Sequence, residues 1–92
     1  MDNHAIARKL LGLAHDLEEK HASLYRVQAY RRAAETILGL DRPVEDLLAQ
    51  GGFRALRQLP GIGAKMALKI ETLVRAGAIP NVKQEDSLAV AI

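Results

Sequence analysis

Apolar residues recur at helical spacing along most of the chain. Ile6, Leu10, Leu13, Ala14 and Leu17 form one stripe at i, i+4, i+7, i+8 and i+11, which predicts a first helix over about His4 to Lys20 with Asn3 as its N-cap. Val27, Tyr30, Ala34, Ile37 and Leu38 mark the buried arc of a second helix, capped by Ser23 and ended by Gly39. Asp41-Arg42-Pro43 breaks the chain, and a short third helix from Val44 to Ala49 follows and stops at Gly51-Gly52. Phe53 to Gln58 has room for about two more turns before Pro60 to Gly63 interrupts again. The last helix, Ala64 to Ala76, closes at Gly77 and places Met66, Ala67, Ile70, Leu73 and Val74 on one arc. Lys65 and Lys69 stack together on its outward flank. No segment alternates long enough to support a sheet, so the pattern predicts an all-α fold, a compact bundle of four to five helices. From Pro80 the periodicity dissolves. The expected domain therefore covers residues 1–79, and 80–92 is a tail without assigned structure that ends in the apolar run Leu88 to Ile92.

Composition narrows the chemistry. Ninety-two residues with 49% apolar content suffice for one modest core, and one Phe, two Tyr and no Trp suit helices better than an aromatic-rich sandwich. The absence of cysteine excludes disulfides, thiolate zinc sites and thiol nucleophiles. His4, His15 and His21 do not form a ligand-spaced pair, which argues against a histidine-based catalytic metal. No uninterrupted apolar run reaches the ~18 residues of a membrane span, and no secretory signal pattern is present. The expectation is a soluble, cytoplasmic, DNA-associated protein. A net charge of +2 says little by itself, but its distribution says more. Between Arg54 and Arg75 stand Arg54, Arg57, Lys65, Lys69 and Arg75 against a single acid, Glu71.

That cationic stretch surrounds Leu59-Pro60-Gly61-Ile62-Gly63-Ala64-Lys65, two helices joined by a glycine hairpin. Glycine permits positive φ and lets another backbone approach without a Cβ in the way. The amides opening the next helix, near Gly61, Gly63 and Ala64, would then face outward, where they and the helix dipole attract a phosphate oxygen. Lys65 adds a mobile charge, and Ile62 is expected to turn inward and anchor the hairpin. Such contacts grip the DNA backbone and carry no base sequence. As a bare tetrapeptide Pro-Gly-x-Gly is an ordinary turn. The preceding leucine, the following Ala-Lys, the periodic helix and the surrounding charge make this one resemble a helix-hairpin-helix element.

A narrower resemblance rests on two motifs in order, Tyr25-Arg26-Val27-Gln28-Ala29-Tyr30-Arg31-Arg32-Ala33-Ala34 and then Leu59 to Ile70. Together they resemble the amino-terminal domain of the X-family DNA polymerases, the family of DNA polymerase beta, over about Asn3 to Gly77. The resemblance implies a helical bundle that binds the 5′-phosphate at a gap or nick. In several members the domain also removes a 5′-deoxyribose phosphate by β-elimination in DNA repair. Carried onto this chain, it implies Lys69 as the Schiff-base nucleophile and Lys65 as the phosphate-binding lysine. Tyr30 matches an active-site tyrosine, and Arg26 and Arg57 match basic positions near the phosphate. It further implies a monovalent cation, Na+ or K+, held by the backbone carbonyls of Arg57, Leu59 and Ile62. Leu68, where the family often carries an acid, and Tyr25, in place of a histidine, depart from the pattern.

The lyase chemistry needs a neutral amine to attack an aldehyde, and neighbouring cations favour a neutral lysine. An iminium on Lys69 would acidify the adjacent sugar C–H and expel the 3′-phosphate, a route that requires no divalent metal. The residues leave open whether Lys69 is that nucleophile or a solvated lysine, and whether Tyr30 is a site residue or a core tyrosine with its hydroxyl at the surface. Arg31 and Arg32 read equally as a phosphate contact or a solvated face. The general base is not identifiable, because Glu71 lies about 200° round the helix from Lys69. Ninety-two residues cannot hold a nucleotidyl-transfer domain, so the chain is no polymerase on its own, whether free-standing or a fragment of a longer enzyme. The expected function is binding of gapped, nicked or 5′-phosphorylated DNA, with deoxyribose-phosphate lyase activity as the implied chemistry. The alternative is a non-catalytic helical interaction module that recruits a DNA-repair or recombination protein through Leu68 and the Leu88 to Ile92 end.

Overall fold

The computed structural model describes residues 1–77 of the chain. Four helices form there, α1 (Asn3–Glu19), α2 (Leu24–Leu38), α3 (Val44–Arg57) and α4 (Ala64–Ala76), with no strand among the described residues. The fold is all-α, as the periodicity predicts. The expected apolar end, Leu88 to Ile92, lies outside the described residues.

The start of α1 corrects the sequence reading. Asp2, rather than Asn3, is the N-cap: its Oδ1 accepts the Ala5 amide at 2.7 Å, and its charge complements the helix dipole. Asn3 is the first residue of the helix and serves another one. Its Nδ2 donates to the Arg42 carbonyl at 2.8 Å, and its Oδ1 accepts the Val44 amide at 2.9 Å. The N-cap position of α3 is Pro43, which makes no side-chain cap hydrogen bond, so Asn3 supplies from a distance the acceptor that Pro43 lacks.

A short connection, with His21 in the left-handed region at φ 57°, folds α2 back against α1. Ser23 caps α2 as expected, accepting the Arg26 amide at 3.2 Å. Ile6, Leu10 and Leu17 from α1 meet Val27, Tyr30 and Ile37 from α2 in one continuous core. The expected arc of α2 is rotated at its end. Leu38 is exposed and Ala33 is buried instead, because a step of about 100° beyond Ile37 carries Leu38 off the buried face. On α1 and α4 the assigned stripes hold, although Leu13 and Val74 sit at the margin of the core.

Gly52, at φ 63° and ψ −154°, interrupts α3 and divides it into the two helical pieces expected around Gly51-Gly52. Its positive φ is the reason glycine suits the break. The second piece leads through the hairpin into α4 and packs against it, with Leu56, Ile62, Ile70 and Leu73 extending the core. Gly77 closes α4 in the left-handed conformation at φ 75°, its amide bonded to the Leu73 carbonyl at 2.8 Å.

Candidate nucleic-acid interface

The hairpin between α3 and α4 is built from two backbone hydrogen bonds and a brace. The Leu59 amide donates to Leu56 at 3.1 Å, and the Ile62 amide donates to Leu59 at 3.2 Å, closing the turn. Ile62 is 3% exposed and anchors the hairpin in the core as expected. The brace comes from α2, where the Thr36 Oγ1 donates to the Pro60 carbonyl at 2.7 Å. One helical turn earlier, Arg32 lays its aliphatic stem on Gly61. A Cβ at Gly61 would stand 2.6 Å from both Cγ and Cδ of Arg32. Thr36 and Arg32, spaced i and i+4, therefore seat the hairpin from one face of α2.

The two hairpin glycines have different physical roles. Gly61 has φ 74° and no room for a side chain. Gly63 has φ −88° and ψ −175°, which is extended backbone that any residue adopts. Of the two, only Gly61 uses the positive φ that glycine permits. At Gly63 a Cβ would meet nothing within 4 Å, so the surface above it is open. Gly63 is the N-cap of α4 and makes no side-chain cap hydrogen bond, leaving the first amides of α4 without a side-chain acceptor. Ala64 and Lys65 follow at the surface, both exposed.

Lys69 departs from the expected outward stack. It is half-buried, its Nζ donates to the Tyr30 hydroxyl at 2.8 Å, and it lies 5.2 Å from the centroid of the Tyr30 ring. Four residues advance a helix by one turn plus about 40°, so Lys69 rotates from the flank of Lys65 toward the core edge. Tyr30 itself is 2% exposed. It is a core tyrosine whose hydroxyl is bonded to a lysine, which joins two of the sequence candidates directly.

The remaining candidates take separate places. Arg26 is half-buried on α2, one turn before Tyr30. Arg57 is exposed, sits 5.8 Å over the Phe53 ring, and lines a shallow depression of about 370 Å³ with Arg54 and Gln58. Glu71 accepts from Arg75 at 3.2 Å. Arg31 is paired with Glu18 of α1 at 3.0 Å, whereas Arg32 lies on the hairpin, so two adjacent arginines of equal standing in the sequence are separated by the fold. Sequence reasoning missed Thr36 and the placement of Arg32. Their i, i+4 spacing was visible, but nothing in it tells which segment α2 touches.

Among the described residues, no group of three or more His, Asp or Glu side chains could hold a metal ion, and no helix is long and apolar enough to cross a membrane. No curated protein matches the chain closely enough to serve as a named relative. Residues 1–79 match the family model of the helix-hairpin-helix domain. The match spans most of the sequence and includes the braced glycine hairpin between α3 and α4, so the chain belongs to the helix-hairpin-helix domain family, which is associated generally with nucleic-acid binding.

Proposed function

We propose that this chain binds DNA bearing a gap, a nick or a 5′-phosphate, and that it grips backbone phosphates at the hairpin. The observation that carries the reading is the open, uncapped start of α4 at Gly63, followed by exposed Ala64 and Lys65. Backbone amides and the helix dipole favour an anionic oxygen there, and Lys65 adds a charge-assisted contact. Gly61 turns the chain into this surface, Arg57 adds basic charge at the end of α3 beside Arg54, and Arg26 supplies a further cation on α2 one turn before Tyr30.

The finer reading is an X-family-like lyase domain acting in DNA repair beside a repair-protein partner. In it the neutral Nζ of Lys69 attacks the C1′ aldehyde of a 5′-deoxyribose phosphate and loses water to form an iminium. Loss of a C2′ proton then expels the 3′-phosphate with the bonding electrons, and water releases the sugar from the lysine. The contact between Lys69 and Tyr30 supports this role. A tyrosine hydroxyl both accepts and donates, so the bond that holds the ammonium also orients the neutral amine.

The carbonyls of Arg57, Leu59 and Ile62 would be the ones to hold a weakly bound Na+ or K+ at the hairpin. Among the described residues those of Arg57 and Ile62 accept no hydrogen bond outside helices, and Leu59, bonded to Ile62, keeps a second lone pair. Held there, such an ion would add positive charge at the hairpin and so favour an anionic phosphate oxygen.

The experiment compares a gapped duplex carrying a 5′-phosphate with its 5′-hydroxyl counterpart by fluorescence anisotropy, and treats an incised abasic duplex with borohydride. Tighter binding of the phosphorylated end and a reduced covalent adduct are expected. Equal affinities remove the end preference, and absence of adduct while DNA is bound removes the lyase step. The second reading, an interaction module, draws on Leu68, which is 55% exposed on α4. It requires binding to a protein partner that is indifferent to salt.

A further inference from the structure

We infer that Arg32 is a phosphate-contacting residue of the hairpin, supplied across the fold by α2. The inference rests on the DNA-binding reading above and extends it to a residue outside the hairpin and α4. The Cγ and Cδ of Arg32 lie where a side chain on Gly61 would begin, 2.6 Å from that Cβ position. The guanidinium starts at the next atom, Nε, so its charge is carried to the hairpin by a stem already packed on it. The stem has a fixed seat, because Thr36 one turn on is bonded to the neighbouring Pro60 carbonyl. Arg32 is exposed, and among the described residues no carboxylate is paired with it.

Each alternative use of this side chain is weaker. A solvated arginine has no need to lie on a glycine backbone, and a structural ion pair needs an acid, as Arg31 has in Glu18. An exposed guanidinium with a packed stem is pre-organised for planar, bidentate capture of a phosphate. The close contact at Gly61 suits this use. Any side chain there would lift Arg32 away from the hairpin.

The test measures affinity for a 5′-phosphorylated gapped duplex over a salt series, using the full chain, Arg32→Met, Arg32→Lys and Arg31→Met, with circular dichroism on each. Met keeps an apolar stem over Gly61 and removes only the charge. Arg32→Met is expected to bind about ten-fold more weakly, with a salt slope smaller by about one contact. Arg31→Met should lose less than about three-fold, and Arg32→Lys should keep most of the affinity but lose part of the bidentate gain. Wild-type binding that Arg32→Met leaves unchanged, or weakens no more than Arg31→Met does, overturns the inference and spares the DNA reading. Absence of wild-type binding overturns both.

Discussion

Lys69 on α4 donates its Nζ proton to the hydroxyl of Tyr30 on α2 across 2.8 Å, and Tyr30 is almost wholly buried. Removing the hydroxyl in Tyr30→Phe leaves the ring in the core and takes away one partner of the lysine. A loss of about 1 kcal/mol in stability is expected, with DNA affinity unchanged. If Lys69 is the nucleophile, borohydride trapping should also slow, because the amine loses its orientation. Denaturant unfolding together with a trapping time course checks both parts, and unaltered trapping would detach Tyr30 from the chemistry.

Gly61 and Gly63 should respond oppositely to the same change. Gly61→Val forces a β-branched residue into positive φ and onto the Arg32 stem, so it should destabilise the fold by about 1–3 kcal/mol. Gly63→Val meets nothing within the chain and keeps an allowed backbone, so its melting temperature should hardly move. Its DNA affinity should nevertheless fall by about ten-fold or more, since the new methyl groups stand where a phosphate would approach. Thermal melts and anisotropy on the pair separate folding from recognition.

The two lysines of α4 should also divide their roles. Lys65→Ala is expected to erase most of the preference for a 5′-phosphate over a 5′-hydroxyl and to slow trapping without abolishing it. Lys69→Ala should keep much of the DNA affinity and lose nearly all of the adduct. Residual adduct in Lys69→Ala would have to be mapped by peptide mass spectrometry, and its location on Lys65 would contradict the assignment.

Asn3 joins the start of α1 to the start of α3, so Asn3→Ala should cost about 1–2 kcal/mol although the residue caps no helix of its own. Asn3→Asp should recover the bond to the Val44 amide and lose the one to the Arg42 carbonyl. Unfolding midpoints in urea at constant slope measure this, and a neutral Asn3→Ala would show that the cross-cap carries no stability.

Much of the fold was legible because helical period, caps and breaks agree along the chain. The stripe of α1, the Ser23 cap, the Gly51-Gly52 break and the inward turn of Ile62 all follow from local chemistry. Asp2 and Asn3 could not be told apart locally, since both side chains are good caps. Their assignment depends on Pro43, some forty residues away along the chain, lacking a cap of its own. Likewise the hairpin glycines look alike in sequence, and only the proximity of Arg32 shows which one is required by space. Lys69 and Tyr30 were each singled out, but their direct bond depends on how α2 crosses α4. Tertiary neighbours, rather than residue type, decided each of these points.

The most direct measurement is the salt dependence of affinity for a 5′-phosphorylated gapped duplex, with Gly63→Val titrated alongside. If backbone phosphates are gripped at the hairpin, log affinity should fall linearly with log salt, with a slope of about −0.9 for each phosphate neutralised on duplex DNA. Gly63→Val should be weaker at every salt while still folded. A wild-type affinity that does not change with salt, or a folded Gly63→Val that binds as the wild type does, would contradict the account.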